Sequence, residues 1–174
     1  MHWQLYSIKI SDRGLWLKSH FEREMNMLSP ILVGDESTLE KSQYGSITGE
    51  IYFQFGDFCF PELRWNDFIV VILCWWNKSV GTLEVSSVGT RVEFHFMDGP
   101  FCVRAVKSSE EKVTLNFLRR KIEGFEILAS RDTEIDSLKT AIGKVSRKIV
   151  RELHRKNWST NDTEQLESLI RKRR

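Results

Sequence analysis

Apolar and polar positions alternate along much of the first two-thirds of this chain, then change to a three-and-four step near residue 133. Trp3 to Ile10 alternates and predicts a first strand, with Ser11-Asp12-Arg13-Gly14 as its turn. Leu17, Phe21, Met25 and Leu28 recur at helical spacing, so Leu15–Leu28 reads as an amphipathic helix stopped by Pro30. Gly34–Gly45 is polar and reads as a loop or a short edge element. Ile47, Gly49, Ile51, Phe53 and Phe55 then alternate with Thr48, Glu50, Tyr52 and Gln54, the pattern of a half-buried strand.

The next stretch, Asp57 to Trp76, is the most apolar of the chain and holds three of its six tryptophans. Its second half, Phe68–Trp76, carries no charge in nine residues and is rich in Val, Ile and aromatics. Such a run predicts a strand buried on both faces at the centre of the sheet. It is far shorter than the ~20 apolar residues of a membrane span. Arg64-Trp65-Asn66-Asp67 marks the place where the chain enters the core, and Asn77–Gly81 reads as a break, with Thr82–Ser86 pairing briefly beyond it.

Arg91–Phe96 alternates, Met97-Asp98-Gly99-Pro100 turns, and Phe101–Val106 continues, which is a hairpin with Asp-Gly at its tip. Val113–Leu118 gives one more strand. From Thr133 the period becomes helical: Ile135, Leu138, Ile142, Val145, Ile149 and Leu153 form one stripe. Ser130, Asp132 or Thr133 is placed to cap this helix, and Trp158-Ser159 ends it. A short final helix starts at Asn161 or Asp162 and turns Leu166, Leu169 and Ile170 inward. Strands first and helices last give an α+β fold, an antiparallel meander with a long C-terminal helix on one face and a short final helix. Residues 1–174 read as one domain, mainly β to about residue 120 and helical from about 130.

Charge adds an asymmetry. Residues 1–110 hold 10 Lys/Arg against 14 Asp/Glu, a net of −4; the other 16 basic and 10 acidic residues lie in 111–174, a net of +6. Lys139, Lys144, Arg147, Lys148, Arg151, Arg155 and Lys156 ride the long helix outside its apolar stripe. Such a face can track phosphates, so a nucleic-acid-binding accessory protein built on the C-terminal helices is an alternative reading, and membrane-surface binding a more distant one. The bland reading is a solvated helix face, and a total charge of +2 is low for a nucleic-acid binder.

Motifs for catalysis are sparse. His2, His20, His95 and His154 show no HxxxH or HxH spacing and no CxxC pair exists, so no metal site is expected. Cys59, Cys74 and Cys102 are odd in number and lie in apolar runs, which fits free thiols in a reducing, cytoplasmic setting. His95, between Phe94 and Phe96, is expected on the opposite face of its strand, toward solvent or an interface. Cys102 lacks an identifiable histidine partner, and Glu62/Asp67 flanking Arg64 and Trp65 fits an ion pair better than acid–base work. A hydrolase using either is a weak third reading. No glycine-rich phosphate loop occurs, so no nucleotide cofactor is expected.

The segment GDFCFPELRWNDFIVVILCWW, followed by VEFHFMDGPFCVRAV, resembles the small immunity proteins of bacterial polymorphic-toxin systems, including those of contact-dependent growth inhibition. The likeness covers roughly Gly49 to Val106, about a third of the chain, and rests on the WNDF and FMDGPF pieces. It implies a cytoplasmic, non-enzymatic protein that binds and neutralises one cognate toxin domain. Candidate contacts for such a partner are Asp35, Glu36, Arg64, Trp65, Asp67 and Asp98. Trp65, Trp75 and Asp98 each also have an ordinary structural role to fill. Many immunity proteins against nucleases are strongly acidic, and this chain departs from that: either its toxin is not a strongly basic nuclease, or only the −4 portion makes the contact.

Overall fold

The structure, a computed structural model, describes residues 30–171. The strand expected at Trp3–Ile10 and the helix expected at Leu15–Leu28 lie outside those residues. Within them the fold is α+β, with two antiparallel sheets around one long buried helix. The first sheet is built on β2 (Ile47–Phe55). It pairs on one edge with β1 (Ile31–Lys41), and on the other successively with β4 (Asn66–Asp67) and β3 (Phe58–Phe60). The second sheet is a meander, β5 (Arg91–His95), β6 (Phe101–Lys107), β7 (Lys112–Arg120) and β8 (Phe125–Glu134). Three helices complete the described residues: α1 (Ile69–Val85), α2 (Ile135–Arg155) and α3 (Asn161–Arg171).

The apolar stretch expected to be the central strand is instead α1, and this is the main correction. A short apolar run without polar punctuation is compatible with either a buried strand or a buried helix, and length arbitrates. Here Ile69, Ile72, Leu73, Trp76, Val80 and Leu83 lie on the buried side of 17 helical residues, so the helical step runs straight through Asn77–Gly81. Asn77 is no break. It is buried and its amide donates to Leu73 O and to Ser146 Oγ of α2, which joins the two helices through their interior. Thr82–Ser86, expected to pair as a strand, is the last turn of α1 and its C-cap.

α1 touches β2, β5, α2 and α3, so its environment is protein on most sides and solvent on little more than Trp75, Lys78, Thr82 and Val85. Its role as organising centre survives the change of conformation. Each fully buried large aliphatic or aromatic side chain stabilises the fold by ~1.5–3 kcal/mol, and α1 supplies Ile69, Ile72, Leu73, Trp76, Val80 and Leu83 to that core. Between the two sheets lies an aromatic cluster. Phe53 stacks on Trp76 at 5.4 Å between ring centroids, while Phe117 receives Phe53, Phe55 and Phe60 from the first sheet. Phe96 and Phe101 of the hairpin pack edge-on against Phe60.

Ile47–Phe55, the hairpin strands, the strand over Val113–Leu118, the long helix and the short final helix stand as the pattern predicts. Gly34–Gly45, expected to be a loop or short edge element, lies mostly within the full-length strand β1, whose register against β2 shifts between Asp35 and Glu40. Residues 125–134 form β8, which was not expected, because its polar sequence shows no clean alternation. β8 runs directly into α2, so Ser130, Asp132 and Thr133 are strand residues; Glu134 is the N-cap and makes no side-chain cap bond. α2 packs on β1 at Gly34. A Cβ there would sit 2.4 Å from Val145 Cγ1, so hydrogen is the only substituent that fits this approach.

Candidate functional site

Asp67 is where the two distinctive sequence pieces meet. It is 1% exposed, and its carboxylate accepts the indole N–H of Trp65 (3.1 Å) and the backbone N–H of Phe68 (2.7 Å), Met97 (3.0 Å) and Asp98 (3.2 Å). The WNDF and FMDGPF pieces, 30 residues apart along the chain, are thus joined by one carboxylate. The same group sits beside the first turn of α1, where a negative charge complements the helix dipole and accepts the N–H of the N-cap, Phe68. Trp65 lies over Phe101 at 5.4 Å and Phe96 at 6.5 Å, both edge-on. Gly99 turns the hairpin at φ +69°, with Trp65 Cη2 3.3 Å from where its Cβ would be. Of the residues proposed as partner contacts, Trp65 and Asp67 therefore hold the fold together. Asp98 joins them through its backbone N–H and is itself exposed.

Arg64 and Asp35 form a second group, on the outer face of the first sheet. Arg64 adopts a left-handed backbone (φ 61°) and its side chain, 71% exposed, donates Nε to Glu50 Oε1 at 2.8 Å. The Glu50 carboxylate makes the guanidinium harder to deprotonate still. Glu50 is the cross-strand partner of Asp35. Hydrogen bonds from the Ser37 hydroxyl and N–H hold the Asp35 carboxyl below the usual range, and the charges of Lys148 and Arg64 add to this. Glu36 belongs elsewhere: it pairs with Lys148 of α2. An open groove of about 420 Å³, lined by residues 30–34 with Ala141, Lys144, Val145 and Lys148, runs along the junction of β1 and α2.

A third group lies on the outer face of the second sheet, and it escaped the sequence. Glu93 pairs with Arg104 across β5 and β6, and His95 pairs with Cys102. Arg104 donates Nε and Nη2 to Glu93 Oε1 at 2.9 and 2.7 Å, while His95 Nε2 lies 3.1 Å from Glu93 Oε2. His95 does face outward, 44% exposed, so the alternation placed it correctly. Cys102 has a histidine neighbour after all, since its cross-strand partner is His95. Burial, and then the Glu93 charge, push its thiol up, which leaves it protonated and a poor nucleophile on its own. The signal was present in the Glu-x-His spacing of β5 and the length of the hairpin, but only the register brings Cys102 opposite. Nearby, Arg104 and Arg120 lie over the ring of Phe125, which with Ile127 is exposed.

The other reactive candidates have structural surroundings. Cys74, on α1, is buried and donates to Asp162 O at 3.4 Å; burial pushes its thiol up to about 11. Glu62 is exposed, whereas its supposed partner Asp67 is buried and occupied by N–H donors. The basic face of α2 is partly neutralised. Lys139 pairs with Glu84, Lys148 with Glu36, and Arg155 and Lys156 both with Glu152. No helix among the described residues is long and apolar enough to cross a membrane. Comparison of the chain with protein-family models, with curated proteins and with solved structures returned no match.

Proposed function

We propose that this chain is an immunity protein that binds and neutralises a cognate bacterial toxin domain in the cytoplasm, acting by contact rather than by catalysis. One observation carries the reading. The two sequence pieces that resemble polymorphic-toxin immunity proteins are joined in space by the Asp67 carboxylate, so the likeness follows one structural unit rather than two unrelated fragments. A binder of this kind needs a rigid scaffold that presents aromatic, aliphatic and charged anchors. Arg64 with the adjacent exposed Leu63 offers one such patch; Phe125 and Ile127, flanked by Arg104 and Arg120, offer another. The ion pairs along α2 weigh against the alternative in which that helix tracks nucleic-acid phosphates, because several of its cations already have carboxylate partners.

The test is genetic and biochemical. The chain is expressed with and without the C-terminal domain encoded by the open reading frame immediately upstream, and growth and co-purification are scored. Rescue of growth together with a one-to-one complex is the expected result. Absence of any toxic neighbour, with retention on heparin that salt removes, would overturn the reading in favour of the basic helix. Within a confirmed complex, Arg64→Ala should weaken binding out of proportion to its small effect on the unfolding midpoint, whereas Asp67→Ala should lower stability first.

A further inference from the structure

We propose that Glu93, His95 and Cys102 form a three-ligand site for a zinc-class divalent cation on the outer face of the second sheet. This site is independent of the immunity reading. One carboxylate oxygen, one imidazole nitrogen and one sulfur from these residues all lie within 4.8 Å of one another. Carboxylate, imidazole and thiolate are the donors zinc takes, and their mixture does not suit magnesium or calcium, which prefer oxygen.

The backbone places them for a physical reason. Residues two apart on a strand share a face, which aligns Glu93 with His95, and the antiparallel register sets Cys102 directly opposite His95. β5 is held at both ligand positions by α1: the Trp76 indole donates to His95 O at 2.9 Å and the Ser79 hydroxyl donates to Glu93 O at 3.1 Å. The β5 backbone that carries two of the three ligands is therefore fixed by α1, the most buried helix among the described residues.

The distances fit with little movement. Two ligands ~2.0–2.1 Å from a tetrahedral zinc lie roughly 3.3 Å apart; Glu93 Oε2 and His95 Nε2 are 3.1 Å apart. The sulfur needs to come to about 3.6 Å from each, given a Zn–S bond of ~2.3 Å. The partly exposed His95 and Glu93 side chains have room to turn toward it. Arg104 engages only Oε1 of Glu93, which orients the carboxylate and leaves Oε2 toward His95. Outer hydrogen bonds of this type commonly fix metal ligands. Three protein ligands on a solvent-facing sheet leave a fourth position for water or for a side chain of a bound protein. The competing account is an ordinary ion pair above a packed thiol. It predicts no affinity for a soft cation.

The experiment uses the full chain, reduced and stripped of metal, titrated with cobalt(II). A thiolate-to-cobalt charge-transfer band in the near ultraviolet is expected, lost on adding zinc. Binding should strengthen as pH rises, since the Cys102 proton must leave. Cys102→Ser should abolish the band, and His95→Ala and Glu93→Gln should each weaken cobalt binding by about tenfold or more. Cys59→Ser and Cys74→Ser should change neither. His95 and Glu93 are partly exposed, so their variants keep the test valid if Cys102→Ser misfolds. No band in the wild type, a band that survives in Cys102→Ser, or wild-type affinity in both His95→Ala and Glu93→Gln would overturn the site.

Discussion

Replacing Asp67 with alanine removes the acceptor shared by Trp65, Phe68, Met97 and Asp98. All four donors lie in partly buried surroundings, so water can recover part of each loss. They share a carboxylate that is itself 1% exposed, so the void left by alanine offers none of them a replacement oxygen from the protein. A buried donor left unsatisfied costs ~1–3 kcal/mol, and hydrogen bonds to a charged acceptor stand toward the upper end. Four donors, each recovering part of its loss from water and so counted near the lower end of that range, give a loss of about 3–5 kcal/mol for Asp67→Ala. That is a large share of the ~5–15 kcal/mol by which domains of this size are stable. Asp67→Asn keeps one acceptor oxygen but turns an NH2 toward the same donors, so it should recover less than half of the loss. The assay is urea unfolding followed by tryptophan fluorescence, with the slope compared between variants to confirm that the transition stays two-state. An Asp67→Ala protein within about 1 kcal/mol of the wild type would refute the clasp. So would a variant of wild-type stability that had lost a binding partner, since Asp67 would then be a contact residue.

Gly34→Ala should cost ~1–3 kcal/mol by overpacking against Val145, a stiff β-branched side chain, and Val145→Ala in the same protein should recover much of it; additive losses in a double-mutant cycle would count against that contact. Trp76→Phe should cost ~1–2 kcal/mol by leaving the His95 carbonyl without its indole donor, whereas Trp76→Ala should cost ~3–5 kcal/mol or prevent folding, both read by thermal unfolding. Thiol titration of the native protein should modify Cys59, which is partly exposed, well before the buried Cys74 and Cys102; early loss of Cys74 would contradict a thiol pushed up to about 11. The hydrogen bond from His154 holds the Glu167 carboxyl below its usual value, so its contribution to stability is present above about 4.5 and is lost as pH falls through the lower folded value. Glu167→Gln should flatten the acid limb of the stability profile by less than about 1 kcal/mol, because the pair joins α2 to α3 at the surface; an unchanged acid limb would count against it.

Much of this protein was legible in its sequence because local pattern and final environment agree. Ile47–Phe55 alternates and has a buried face; Ile135 to Leu153 steps by three and four and has one buried stripe; Asp98-Gly99 turns a hairpin between alternating strands. The antiparallel strands and the two C-terminal helices, and hence the α+β class, followed from those periods, whereas α1 between β4 and β5 did not. What the sequence left open was decided where neighbours on several sides override local pattern. An apolar run such as 68–76 is compatible with a buried strand or a buried helix, and only the packing of Trp76 and its companions between two sheets and two helices makes α1 the answer. β8 has no clean alternation because its outer face carries Phe125 and Ile127 to the surface, so its pairing with β7 declares it. The candidate sites divide in the same way. That Asp67 was notable could be read from its motif, but its role depends on backbone N–H groups 30 residues away, which no local pattern contains. Glu93, His95 and Cys102 become one constellation only through strand register, the physical link that turns residues distant in the chain into neighbours on one face.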